Sequence, residues 1–128
     1  MSISTEQPNV LTRNTPIGQV FRGRPKKVTR ERLWTFSGGP FTLDGWPKRN
    51  LHTDPAVAAQ VGLPSVSASG TQYQGYVVQL LLELFGDAWL THGTMSAKFI
   101  AVVDADETLR ATATVTAVEP PGDAVESR

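Results

Sequence analysis

The sequence predicts an α+β domain in which one long buried helix lies against an antiparallel β-sheet. The helix comes from residues 70–84, where Tyr73, Val77, Leu80, Leu81 and Leu84 recur at three- and four-residue spacing and Val78, Leu82 and Phe85 make the opposite side apolar too. A helix apolar on nearly all faces is one enclosed by protein. The sheet comes from residues 109–117, where Leu109, Ala111, Ala113, Val115 and Ala117 alternate with Arg110, Thr112, Thr114 and Thr116, the period of two of a strand with one face covered. The third observation is size: 128 residues, 40% hydrophobic and 19% charged, suit a single globular domain.

The elements follow in order. Residues 1–15 are polar and without periodicity, and are expected as a flexible arm before a domain spanning residues 16–119. Ile17 to Val28 carries Val20, Phe21 and Val28 around a basic stretch and reads as a strand or extended edge. Thr29 is the expected N-cap of a short helix running to Phe36, with Leu33 and Phe36 on one face, ended by Ser37-Gly38-Gly39-Pro40. A loop over residues 40–53 holds Asp44, Gly45, Trp46 and Pro47. Asp54 as N-cap and Pro55 in the first helical position open a second helix, which Gly62 stops.

Pro64 to Ala68 is expected to be extended, Ser69 to cap the long helix and Gly86-Asp87 to end it, with His92-Gly93 in a turn. Met95, Ala97, Phe99 and Ala101 alternate with polar and larger residues as a strand, paired across the Asp104–Glu107 turn with residues 109–117. The alanines of the second strand would let the helix lie close. Residues 120–128 are a polar tail, expected to be flexible.

Composition removes several function classes. No cysteine is present, which excludes disulfides, thiolate nucleophiles and cysteine-ligated metals. The two histidines lie forty residues apart, a spacing that fits no usual metal-ligand motif; neither a metal nor a cofactor is expected. No apolar run approaches the ~20 residues of a membrane span, and the first residues lack the apolar stretch of a signal peptide, so a cytosolic protein is expected. The formal net charge is zero, yet residues 1–53 hold nine basic and three acidic side chains and residues 54–128 the reverse. The halves either complement each other, within the fold or across a dimer, or the basic half meets an anionic ligand.

Four segments in order carry a family resemblance over residues 17–118. They are Val28-Thr-Arg-Glu-Arg-Leu-Trp-Thr-Phe-Ser-Gly38, Asn50-Leu-His-Thr-Asp-Pro-Ala-Val-Ala-Ala-Gln-Val-Gly62, Ser67-Ala-Ser-Gly70 and Phe99-Ile-Ala-Val-Val-Asp-Ala-Asp-Glu-Thr-Leu109. Together the chain resembles the MaoC-like (R)-specific enoyl-thioester hydratases and dehydratases, whose hotdog fold wraps a central helix in antiparallel sheet. The resemblance implies an acyl-thioester or polyketide-like substrate and chemistry in which a carboxylate and an imidazole hold one water between them. It places the imidazole at His52 and the oxyanion donor at the Gly70 amide, where a helix N-terminus adds positive potential. Asn50, Ser69 and Trp46 fall beside these as substrate-contacting candidates.

Departures accompany the resemblance. The family's aspartate position falls on Pro47 counted back from His52, or on Gly39 counted from Ser37-Gly38. The enlarged loop between Gly38 and His52 holds one carboxylate, Asp44, read either as a turn-forming Asp-Gly or as the substitute acid/base. Ser69 replaces the histidine of the family's H-G pair, and the family's last two strands have no counterpart beyond Val118. Hydration or dehydration is therefore the default expectation. The alternatives are cyclisation or isomerisation by proton transfer, and a non-catalytic subunit of a heteromeric hotdog complex. A homodimer is the expected assembly. Arg22-Gly-Arg-Pro25 matches the core of a minor-groove DNA-binding hook, but a neutral chain with this run beside a strand argues against nucleic acid. The run is expected as a solvated edge, or as a contact for coenzyme A or phosphopantetheine phosphates.

Overall fold

A computed structural model describes residues 11–40 and 49–119. The expectations for the first ten residues, for the loop residues Asp44, Trp46 and Pro47 and for the tail from Pro120 lie outside the described residues. The elements are β1 (Val20–Arg22), β2 (Lys26–Lys27), α1 (Arg30–Phe36), α2 (Pro55–Gln60), α3 (Gly70–Phe85), α4 (Asp87–His92), β3 (Thr108–Leu109) and β4 (Thr112–Thr114). Among the described residues the chain divides into two compact units. One comprises residues 11–24, 76–97 and 111–119, the other residues 25–40, 49–75 and 98–110; α3 passes from the second into the first after Gly75.

In the first unit β1 pairs antiparallel with β4, setting Phe21 opposite Ala113 between the exposed pairs Val20–Thr114 and Arg22–Thr112. The predicted alternation is therefore present: alanine methyls face inward and threonines face water. Gly23 N–H to Ala111 O and Gly18 N–H to Val115 O, both 2.7 Å, extend the pairing at either end. Leu80 and Leu84 of α3 are buried in this unit, whereas Val77 and Phe85 stay about two-fifths exposed, so the flank of the helix is open within one chain. Gly86 ends α3 with a positive φ of 62° and starts α4, where a turn was expected. The Leu11 amide donates to the Leu84 carbonyl, one of those at the end of α3 that have no intrahelical donor.

The second unit centres on Val28, Leu33, Ala58 and Val66, all nearly inaccessible. Both short helices start as their sequences dictate. Thr29 Oγ1 accepts from Arg32 N, and the Asp54 side chain accepts from Ala56 N with Pro55 in the first turn. Gly62, at a φ of 84°, follows α2. β2 pairs antiparallel with β3, and Val28 continues this edge, its amide on Glu107 O and its carbonyl accepting from Asp106 N.

The strand partners differ from those expected. Residues 109–114 pair with the segment around residues 18–27, and Met95–Ala101 forms no strand here. The Asp104–Glu107 turn does form, with Asp106 at a φ of 71°, but what precedes it is a single bridge of Asp104 with Ser67. Alternating polarity specifies which face of a strand is covered and leaves its partner open; here the partner is distant in sequence. Phe99, Ile100 and Val102 consequently remain half to five-sixths exposed.

Truncating the wholly buried Leu33 to alanine is expected to cost about 2–5 kcal/mol. Val61→Ala, at an exposed position, should stay within about 0.5 kcal/mol. Urea unfolding midpoints at constant slope read both.

Candidate active site

The candidate site is organised by the chain between Asn50 and Gly70. Asn50 forms an Asx-type turn: its Oδ1 accepts from His52 N at 2.9 Å and its carbonyl accepts from Thr53 N and Asp54 N. Its Nδ2 donates to Ser37 O at 3.2 Å, tying this turn to the end of α1. Both ends of the Asn50 amide are thus engaged within the protein, and the residue acts on the position of His52. Short polar side chains that bond their own backbone nearby are the usual makers of such turns.

His52 is half-buried, and its Nδ1 lies 2.8 Å from the Ser67 carbonyl oxygen. A carbonyl only accepts, so Nδ1 carries the hydrogen and the neutral ring holds its lone pair at Nε2. Nε2 has no hydrogen-bond partner among the described residues. The arrangement is that of a general base, or in its charged form a general acid, aimed by a backbone group.

Ser67 is itself held on both edges. On one side its residue pairs with Asp104 through Ala68 N–H to Val103 O at 2.8 Å and Ala105 N–H to Val66 O at 3.0 Å. On the other its amide donates to Leu51 O and its carbonyl takes the histidine. Gly70 follows three residues later, so at most ~11 Å of extended chain separates it from the carbonyl that aims His52. As the first residue of α3, Gly70 has an amide with no intrahelical acceptor. A Cβ at Gly70 would lie 2.7 Å from the Phe99 ring, which also meets Tyr73 edge-on at 5.2 Å. The glycine is what lets the aromatic ring cover the first turn of α3. Ser69 Oγ pairs with Thr71 Oγ1 at 2.9 Å, in place of the capping bond expected from it.

Asp44 and Trp46 lie outside the described residues. The other position considered for the family carboxylate, Gly39, is explained by its neighbour: a Cβ there would fall inside the Trp34 indole. Gly39 N also donates to Trp34 O at 2.8 Å. No side chain fits that slot while Trp34 holds its place.

Several participants were not visible as candidates in the sequence. Ser67 acts through its backbone, which no residue type signals. Phe99 reads only as an alternating apolar position. Asp104 reads as a turn residue, yet it stands opposite Ser67 with Oδ1 buried and, among the described residues, without a hydrogen-bond partner. Asp54 is the one carboxylate near His52 in sequence with a displaced titration. The Arg49 Nε donating to Oδ2 at 2.7 Å, then the Ala56 amide, hold it below the usual aspartate range. Its bonds are those of a helix cap. Among the described residues no group of three or more His, Asp or Glu side chains gathers as a metal site, and no helix is long and apolar enough to cross a membrane.

The long helix and antiparallel strand pairs make an α+β chain, consistent with the hotdog class to which comparison with family models assigns it. The MaoC-like domain model matches residues 13–126, and the chain belongs to that family, which is of hydratase and dehydratase type and has the hotdog fold. Neither the curated proteins nor the solved structures include a match.

Two outcomes follow from this geometry. Because Asp54 titrates below its unfolded value, the stability it contributes is present above the ordinary aspartate pKa of about 3.9 and is lost as pH falls through the lower folded value. The melting-temperature gap between the native chain and Asp54→Asn should therefore narrow as pH drops below 4, and shrink in high salt because Arg49 is three-quarters exposed. Gly70→Ala should destabilise the native chain and do so less in a Phe99→Ala background, a coupling read by a double-mutant cycle.

Proposed function

We propose that the chain adds water across, or removes it from, the α,β double bond of an acyl thioester carried by coenzyme A or acyl carrier protein, polyketide-like intermediates included. The observation that carries this reading is the His52 ring, with Nδ1–H on the Ser67 carbonyl and Nε2 without a hydrogen-bond partner among the described residues. In the hydration direction the water oxygen bonds to Cβ. The π electrons move toward the thioester carbonyl as an enolate, Cα takes a proton, and the net gain is one water. His52 is one of the two proton-transfer groups, and the Gly70 amide, reinforced by the α3 dipole, donates to the enolate oxygen. Asp44, by its place in the enlarged loop, or Asp104, opposite Ser67, supplies the carboxylate that holds the other proton. The exposed apolar residues Phe99, Ile100 and Val102 favour a homodimer as the working assembly.

A second reading is favoured by the Trp34 ring in the space a side chain at Gly39 would need. With that carboxylate position closed, one imidazole still moves a proton between two carbon positions, as cyclisation or isomerisation requires, without a paired water site.

The test is hydration of crotonyl-CoA and longer 2-enoyl thioesters by the purified chain, with solution mass measured alongside. A dimer that hydrates one of them, with kcat down by about 100-fold or more in His52→Ala and a comparable loss in one of Asp44→Asn and Asp104→Asn, is the expected result. A chain that hydrates none, but exchanges the α-proton of an acyl thioester for deuterium in a His52-dependent way, supports the second reading. A chain that does neither, and is stable only beside another hotdog chain, is a non-catalytic subunit, and both readings fall.

A further inference from the structure

The first unit contains a cavity of about 580 Å³ that plays no part in the chemistry above. Its lining is mainly apolar, with Leu11, Phe21, Leu81, Leu84, Phe85 and Val115 contributing to it, and also includes four threonines. Its origin is the alternation of β4 and the chain beyond it. Ala113 and Ala117 present methyl groups where a larger residue would fill the space, and both line the cavity. At ~30 Å³ per water-sized group the space holds on the order of twenty such groups, within the range of small-molecule sites.

Among the described residues one charged side chain lines the cavity, Arg13. Its Nη1 donates to the Glu119 carbonyl at 2.9 Å. That bond fixes the guanidinium and leaves other N–H donors of the planar fork available to an anion. The turn carrying it is closed on itself, with Thr15 N–H on Thr12 O at 3.1 Å and Thr12 N–H on Thr15 Oγ1 at 2.9 Å, and is anchored by Leu11 N–H on Leu84 O. Among the described residues no acidic side chain lines the cavity. A mainly apolar cleft whose one charged side chain among the described residues is a cation matches a ligand with an apolar body and one anionic end.

We infer that this cavity binds an aliphatic carboxylate, its alkyl chain lying along Leu81, Leu84 and the alanine methyls and its carboxylate against Arg13. The inference uses none of the residues assigned to the thioester chemistry and stands or falls separately from that reading.

Isothermal titration of the full chain with dodecanoate, below its micelle concentration, tests it against dodecyltrimethylammonium, the same chain with a cationic head. The expected result is saturable binding of one dodecanoate per chain and at least tenfold weaker binding of the ammonium. Arg13→Gln should weaken dodecanoate at least tenfold, and Ala113→Leu should abolish its binding. Ala117→Leu serves where the first filling variant does not fold. Equal binding of the two amphiphiles, or binding indifferent to both filling variants, overturns the inference. So does an absence of saturable binding in a chain whose solution mass drops when position 113 or 117 is enlarged, because a second copy then covers the cavity.

Discussion

The hydrogen bond from the His52 ring to the Ser67 carbonyl is the constraint on which the candidate chemistry depends. It joins two segments that have no regular secondary structure to hold them. Ser67 is a residue of extended chain whose amide donates to Leu51 O and whose carbonyl takes the His52 ring, while its neighbours Val66 and Ala68 bond Ala105 and Val103 on the other edge. A buried carbonyl left without a donor costs about 1–3 kcal/mol. Ser67 is nearly inaccessible, so the imidazole is also part of what makes this segment stable. The same contact determines the tautomer. Structure and reactivity are therefore coupled at one atom: the carbonyl that needs a donor is the one that leaves Nε2 basic.

What was legible in the sequence was local. Thr29 and the Asp54-Pro55 pair mark helix starts because short oxygen-bearing side chains satisfy amides within three residues, and those bonds are present. The long helix over residues 70–85 and the alanine–threonine alternation of residues 111–114 were legible for the same reason, since periodicity is a property of neighbouring positions. Strand partners were not. Residues 95–101 and 109–117 both alternate, a turn lies between them, and pairing them is the shortest solution; the second instead pairs with residues nearly a hundred positions away. α4 escaped because Gly86, read as a stop, is at once the end of one helix and the cap position of the next. At the candidate site, a motif pointed to His52 and Gly70, whereas the carbonyl that bonds the one and the ring that covers the other were not legible, being brought in by tertiary structure.

Trp34 and Gly39 show how a family pattern can be altered by packing. The glycine amide bonds the Trp34 carbonyl, and the indole lies where a Cβ would stand. Restoring an aspartate at position 39 alone would meet the ring, so two positions have to change together before a carboxylate can return there. While the count that puts the family's aspartate at Pro47 falls outside the described residues, on the count that puts it at position 39 the departure is in this sense locked. It makes the enlarged loop and the Asp104 bridge, each with a carboxylate, the places where a replacement acid is to be sought.

The glycines at 39 and 70 serve opposite ends of one argument about space. At each an aromatic ring takes the volume a side chain would have used: Trp34 over Gly39 and Phe99 over Gly70. At Gly39 the ring removes a functional group. At Gly70 it covers the first turn of α3 with an apolar surface. Alanines do the reverse in the first unit, where Ala113 and Ala117 withhold volume and leave a chamber. Small residues therefore carry much of the specificity in this chain. Their effect depends on whether a large neighbour reaches the space they leave, which composition and periodicity do not encode.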